Sequence, residues 1–192
     1  MRHRIFTAAA VAGLIAAAPA TGAATKTAVF AGGCFWSIEK LFEGKPGVVS
    51  AVSGYAGGAS RNPTYENHEG HLESVRVTYD PAKVSYAQLV DHFFHNIDPT
   101  DPNGQICDKG PAYRTAVFVS TPEERKIAEQ AKAKVAGELK AKVATQVRNA
   151  APFWNAEAYH QDFAKKNPAQ YERYRIGCGR DRWLKTVWGG RS

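Results

Sequence analysis

A single α+β domain, a two-layer α/β sandwich of helices packed on a β-sheet, is what the 192-residue sequence predicts. Segments with the two-residue period of strands alternate along the chain with segments of helical period. The composition, 44% hydrophobic and 22% charged with 17 glycines and 10 prolines, is that of a globular domain and excludes collagen, coiled coil and wholesale disorder. No internal repeat or low-complexity linker divides the chain, which is long enough to bury one core.

Each element follows from local pattern. Thr27 to Phe30 is a short strand that runs into Gly32-Gly33. Phe35, Ile38, Leu41 and Phe42 recur at helical spacing until Gly44 and Pro46 stop them, which places Cys34 at the start of a helix. Val48 to Ser53 is a second strand, and Gly54 to Gly70 reads as a long loop. Leu72 to Tyr79 alternates, with Val75, Val77 and Tyr79 on one face and Glu73 sharing their parity. Ser85 and Gln88 form a capping box ahead of the stripe Tyr86, Leu89, Val90, Phe93, Phe94 and Ile97. A polar loop over 98–111 leads to a strand from Tyr113 to Val119, and Thr121, Pro122 and Glu124 open a helix running towards Lys140. Val143 to Val147 reads as a strand and Ala156 to Lys166 as a helix stopped by Asn167-Pro168. From Tyr171 onward, glycines flank Cys178 and periodicity is weak, so an irregular C-terminal tail is expected.

The N-terminus differs from the rest. Arg2, His3 and Arg4 precede an apolar run from Ile5 to Ala18, and small residues follow through Ala24. This is the order of a secretory signal peptide, expected to occupy residues 1–24 and to leave a mature domain over 25–192. The run of 14 apolar residues is short of the roughly 20 that a spanning helix needs. The protein is therefore expected to be exported, periplasmic or extracellular, without a membrane span. Without the leader, 23 basic residues face 18 acidic ones, and the basic ones form no continuous stripe of the kind that tracks nucleic acid.

Cysteine carries the chemistry. Cys34, Cys107 and Cys178 include no C-x-x-C pair, which argues against structural zinc. Cys34 near a helix N-terminus meets unpaired N–H groups that favour a thiolate, and the preceding glycines leave its sulfur reachable. The pairs His68/His71 and His92/His95 lack zinc spacing and read as solvated. Glu73, pointed inward by strand parity, is expected to have a raised pKa suited to proton donation.

The string Gly33-Cys34-Phe35-Trp36 resembles the active-site signature of the peptide methionine sulfoxide reductase A family, with Ser37 where that family usually carries glycine. The similarity continues through Val52–Gly58, Asn62–Tyr65, Gly70–Pro81, Asp98–Arg114 and Ala156–Pro168, nearly the whole mature chain. The resemblance implies a ferredoxin-like fold with a mixed sheet, and thiol-dependent reduction of the S epimer of methionine sulfoxide in oxidised proteins or peptides. It implies Cys34 as nucleophile, Glu73 as acid, and Tyr65 and Tyr113 as hydrogen-bond donors to the sulfoxide oxygen. Phe35 and Trp36 would cradle the methyl group, and Asp108 would orient polar groups in the pocket. Cys178 is expected to resolve the sulfenic acid by swinging to Cys34, with Cys107 as its rival. A thioredoxin-like protein or dithiothreitol would supply electrons, with no prosthetic cofactor or metal, and a monomer is expected. Two other classes compete: a cysteine hydrolase using Cys34 and His160, and a module that only grips methionine or aromatic side chains.

Overall fold

The computed structural model describes residues 24–189; the expected leader lies outside them apart from Ala24. Eight strands and six α-helices follow in the order β1 (Lys26–Ala31), α1 (Phe35–Phe42), β2 (Val48–Ala56), β3 (Leu72–Tyr79), α2 (Tyr86–Phe94), β4 (Gly104–Gln105), β5 (Asp108–Lys109), β6 (Ala116–Val119), α3 (Pro122–Leu139), β7 (Gln146–Asn149), β8 (Phe153–Asn155), α4 (Phe163–Lys166), α5 (Pro168–Cys178) and α6 (Arg180–Trp188). Six strands form one sheet in the order β7-β6-β1-β3-β2-β8, and β4 and β5 make a separate two-residue ladder. Only β6/β7 pair parallel; the other neighbours are antiparallel, so the sheet is mixed.

Strand parity places the core. Glu73, Val75, Val77 and Tyr79 are all buried on one face of β3, as their alternation predicts. Phe30 of β1 stacks between Phe42 of α1 and Phe93 of α2, at ring separations of 5.1 and 5.0 Å, so the two amphipathic helices cover this face. Ala31, Ala56, Leu72, Ala116 and Phe118 form a second, smaller cluster. The α2 capping box is present: Gln88 N–H donates to Ser85 Oγ at 3.2 Å and Ser85 N–H to Gln88 Oε1 at 2.8 Å.

Four expectations need correction. β2 continues through Gly54 to Ala56, because Gly54 serves a close approach rather than a loop; a Cβ there would lie 2.2 Å from the Trp154 carbonyl oxygen of β8, a strand too short for its pattern to register. The region 113–119 is strand only from Ala116, with Pro111–Tyr113 a 3₁₀ turn, and the next strand is Gln146–Asn149 rather than 143–147. Residues 156–162 do not extend α4. The Gln161 side chain bonds the backbone of Ser53 in both directions and the Ala156 carbonyl, while Asp162 is left-handed at φ 54°. A side chain that ties its segment to a neighbouring strand here outcompetes helix continuation.

The C-terminal tail is not irregular but two helices. Pro168 opens α5 at its first position and Gly179, at φ +67°, ends it in the left-handed conformation. Most of α5 faces solvent, so it shows no apolar stripe to read. In α6, Arg180, Leu184 and Trp188 recur every four residues and are buried. Trp188 Nε1–H donates to the Ile97 carbonyl at 3.0 Å and Arg180 to the Asn96 carbonyl at 2.7 Å, which anchors α6 to the end of α2.

The link from β1 to α1 is fixed by Gly33, at φ +84°, where a Cβ would lie 2.5 Å from Gln105 Cβ. Gly33→Ala is expected to destabilise the domain by about 1–3 kcal/mol, read as a lower urea midpoint at unchanged slope.

Candidate active site

Cys34 is the residue preceding α1, and its carbonyl accepts from Ser37 N–H at 3.1 Å. Its neighbour Phe35 donates its backbone N–H to Glu73 Oε2 at 3.0 Å, so an orphan donor of the first helical turn meets the inward carboxyl of β3. Glu73 is 1% exposed, and burial, aided by Asp108, pushes its pKa up to about 8. At neutral pH this carboxyl is a proton-bearing acid.

Cys34 itself is only 7% exposed. Burial, with the charges of Glu73 and Asp108 adding to it, pushes its thiol up to about 12, against the smaller help of the Trp36 backbone N–H and the Tyr174 hydroxyl. The expected reachable sulfur is therefore not found: Cys34 is covered, and desolvation outweighs the help of the helix N-terminus. Protonation of Glu73 removes one of the opposing charges.

The remaining candidate residues lie around this pair. Phe35 is buried and lies 6.5 Å from both Trp36 and Tyr65, ring centre to ring centre. Trp36 is face to face with Phe163 at 3.7 Å, and its Nε1–H donates to His160 Nδ1 at 3.1 Å. Burial, reinforced by the Glu73 charge, raises the phenols of both Tyr65 and Tyr113. Asp108 Oδ2 accepts from Tyr174 Oη–H at 2.7 Å; burial holds its carboxyl above the usual range.

Two participants, Tyr174 and Glu157, were not among the residues expected, and a third, His160, was expected only as the base of the competing hydrolase or as a support. Tyr174 of α5 donates to Asp108 and stands edge-on to Trp36, and nothing in its local pattern marks it. Glu157 accepts from Tyr55 Oη–H and from Tyr65 N–H, both at 2.9 Å, and so fixes the Tyr65 loop; its place in the Ala156–Pro168 match was the available signal. His160, between Phe35 at 4.9 Å and Tyr65 at 4.6 Å, spends its Nδ1 lone pair on Trp36, which removes it as a base for Cys34. His71 is also corrected. It is buried rather than solvated, accepting from Gly58 N–H and bonded to Ser60 at 3.0 Å.

Cys178 is joined to Cys107 in a disulfide, and Cys34 is free. The expected swing of Cys178 to Cys34 is thus not the pairing found, because Cys178 sits at the end of a regular helix beside the β4–β5 turn rather than on a loose tail. Cys107, Asp108 and Cys178 place one ligand atom each within 4.8 Å of one another, but the disulfide consumes both sulfurs as metal donors. Among the described residues no helix is long and apolar enough to cross a membrane.

Glu73→Gln keeps an acceptor for Phe35 N–H and removes the charge. Because the folded pKa of about 8 lies above the ordinary 4.5, the stability that Glu73 contributes is fully present below 4.5 and is lost as pH rises through 8. Relative to Glu73→Gln it is expected to lose about 1.4 kcal/mol per pH unit at the steepest, read from urea unfolding at pH 5 and pH 8.

The family model described as peptide methionine sulfoxide reductase matches residues 26–192. Among curated relatives, the peptide methionine sulfoxide reductase MsrA 2 of Caulobacter vibrioides is 52% identical over 189 residues, spanning 95% of this chain and 96% of that protein. MsrA of Bacillus subtilis is 44% identical over 170 residues, 85% of this chain and 96% of that one. Methionine sulfoxide reductase A of Corynebacterium diphtheriae superposes with a TM-score of 0.67 at 34% identity, covering 78% of this chain and 77% of the other. Mxr1 of Saccharomyces cerevisiae in reduced form gives 0.70 at 29% identity, covering 75% and 86%. With the family model spanning almost all of the described residues and relatives this similar over most of their length, the chain belongs to the peptide methionine sulfoxide reductase family, oxidoreductases that return methionine sulfoxide to methionine.

Proposed function

We propose that this chain reduces the S epimer of peptide-bound methionine sulfoxide, and free sulfoxide as well, with Cys34 as nucleophile and Glu73 as proton donor. The observation that carries this is the buried Glu73 carboxyl, protonated up to about pH 8 and bonded to the residue next to Cys34. Sulfoxide oxygen leaves a sulfur poorly unless protonated, so an acid held neutral at working pH is the group the reaction needs. Cys34 attacks the sulfoxide sulfur and Glu73 supplies a proton to the oxygen, which ends on Cys34 as a sulfenic acid while methionine departs. Tyr65 and Tyr113 donate to the same oxygen, Phe35 and Trp36 face the methyl group, and Asp108 orients the polar side of the pocket.

The sulfenic acid then condenses with the Cys178 thiol, releasing water and forming Cys34–Cys178. Cys107 attacks Cys178 in that bond, frees Cys34 and leaves Cys107–Cys178, the pair present here. Cys107 is exposed, so an external dithiol such as a thioredoxin-like protein or dithiothreitol reaches the final disulfide without entering the buried site. No prosthetic group is needed for this cycle. The order β6-β1-β3-β2 with α1 and α2 against one face supports the ferredoxin-like, two-layer reading of the frame. The signal-like N-terminus supports repair of oxidised proteins after export, to the periplasm or outside the cell, by a monomer.

With a methionine sulfoxide peptide and dithiothreitol, wild type is expected to return methionine and Cys34→Ser none; wild type returning none leaves a binding module. Glu73→Gln is expected to slow turnover by about 10²–10⁴-fold. After one equivalent of substrate without reductant, Cys107→Ser should accumulate Cys34–Cys178 by mass mapping. A Cys34–Cys107 link in Cys178→Ser protein, with none in Cys107→Ser, would reassign the resolving thiol. Protein purified from its native compartment is expected to begin between residues 21 and 25, and an N-terminus at Met1 would remove the export reading.

A further inference from the structure

Helix α5 meets the rest of the domain along one stripe, Tyr171, Tyr174 and Cys178, spaced three and four residues apart on a single face. The Tyr174 hydroxyl donates to Asp108 Oδ2 at 2.7 Å, Tyr171 is buried, and Cys178 is bonded to Cys107. Tyr174 also stands edge-on to Trp36 at 6.1 Å. Cys107 and Asp108 are consecutive, so the disulfide and the Tyr174 hydrogen bond are two adjacent ties between one helix face and one β4–β5 turn, and Cys34, two residues before the Trp36 ring that Tyr174 meets, is buried. Only Tyr171 is buried in this helix, and Glu172, Arg173 and Ile176 are exposed. Its hold on the domain is therefore polar and covalent rather than apolar, the mark of a segment with low local stability once a tie is cut. Gly179, left-handed at φ +67°, separates it from α6, which is separately anchored by Arg180, Leu184 and Trp188.

We propose that Tyr174 is a further active-site residue that caps Cys34 while the Cys107–Cys178 disulfide holds α5 down, and that cleavage of this disulfide releases the cap and admits the substrate. An external dithiol gives two electrons and two protons, the Cys107–Cys178 bond breaks into two thiols, and the dithiol leaves as its own disulfide; no bond forms at Cys34. The consequence is an ordered cycle, in which a chain that still carries its oxidising equivalents as Cys107–Cys178 keeps its nucleophile covered. This rests on Cys34 as the nucleophile, but it concerns access to that sulfur and is tested without turnover.

The test is iodoacetamide labelling of the Cys34-containing peptide, followed by mass spectrometry, in the full domain. Oxidised wild type is expected to label at Cys34 about tenfold or more slowly than wild type reduced with dithiothreitol. The double variant Cys107→Ser/Cys178→Ser should label quickly without reductant, and Tyr174→Ala should raise the oxidised rate towards the reduced one. Equal Cys34 rates in oxidised and reduced wild type, a comparison that needs no variant to fold, overturn the proposal, as does an oxidised Tyr174→Ala protein that labels no faster than wild type. Since labelling reads the thiol directly, a protein that gates Cys34 but turns over no sulfoxide would fail the proposed function and leave the gate standing.

Discussion

A carboxyl that must sit in a water-poor aromatic site can carry either a charge with a partner or a proton, and the site around Cys34 is arranged for the proton. Glu73 faces inward because β3 alternates and three apolar residues of its parity have to be covered. Its single strong partner is the backbone N–H of Phe35, a donor that exists because α1 begins there with no earlier turn to satisfy it. One hydrogen bond thus joins the middle of the sheet to the first turn of the helix and sets the nucleophile beside the acid. It offsets only part of the desolvation, so the carboxyl keeps its proton up to about pH 8.

The same burial acts on the cysteine with a different consequence. A thiol with a pKa pushed up to about 12 is a weak nucleophile, and the helix N-terminus alone does not lower it while the aromatic and carboxyl groups crowd around. Activation of Cys34 therefore depends on what covers it. The Tyr174 hydroxyl donates to Asp108 and its ring stands edge-on to Trp36, so α5 meets two of the residues grouped around the buried thiol.

Support around the chemistry comes from elements distant in sequence. Glu157 pins both Tyr55 and the Tyr65 loop, His160 fixes the Trp36 ring, and Phe163 lies flat against it. These three residues come from one short stretch that gave up helical continuity when Gln161 bonded to the Ser53 backbone. The aromatic wall is therefore assembled by a turn that the edge of the sheet holds in place, and its rigidity follows from those side-chain bonds rather than from regular structure.

The strands and helices of the frame were legible in the chain because period, caps and parity are local: β3, the capping box of α2 and the inward turn of Glu73 need only their own neighbours to be read. The identity of Cys34 as a helix-start thiol and the grouping of Phe35, Trp36, Tyr65, Asp108 and Tyr113 were also available from residue order and motif. The helical tail was missed because α5 is solvated on most sides and so carries no apolar stripe, although Pro168 and Gly179 marked its ends. Tertiary structure alone decided which sulfur meets which, that Tyr174 meets Asp108 and Trp36, and that the thiol is covered rather than exposed. Those are outcomes of three segments far apart in the chain arriving at one point, where burial and contact geometry, not spacing in sequence, set pairing and protonation.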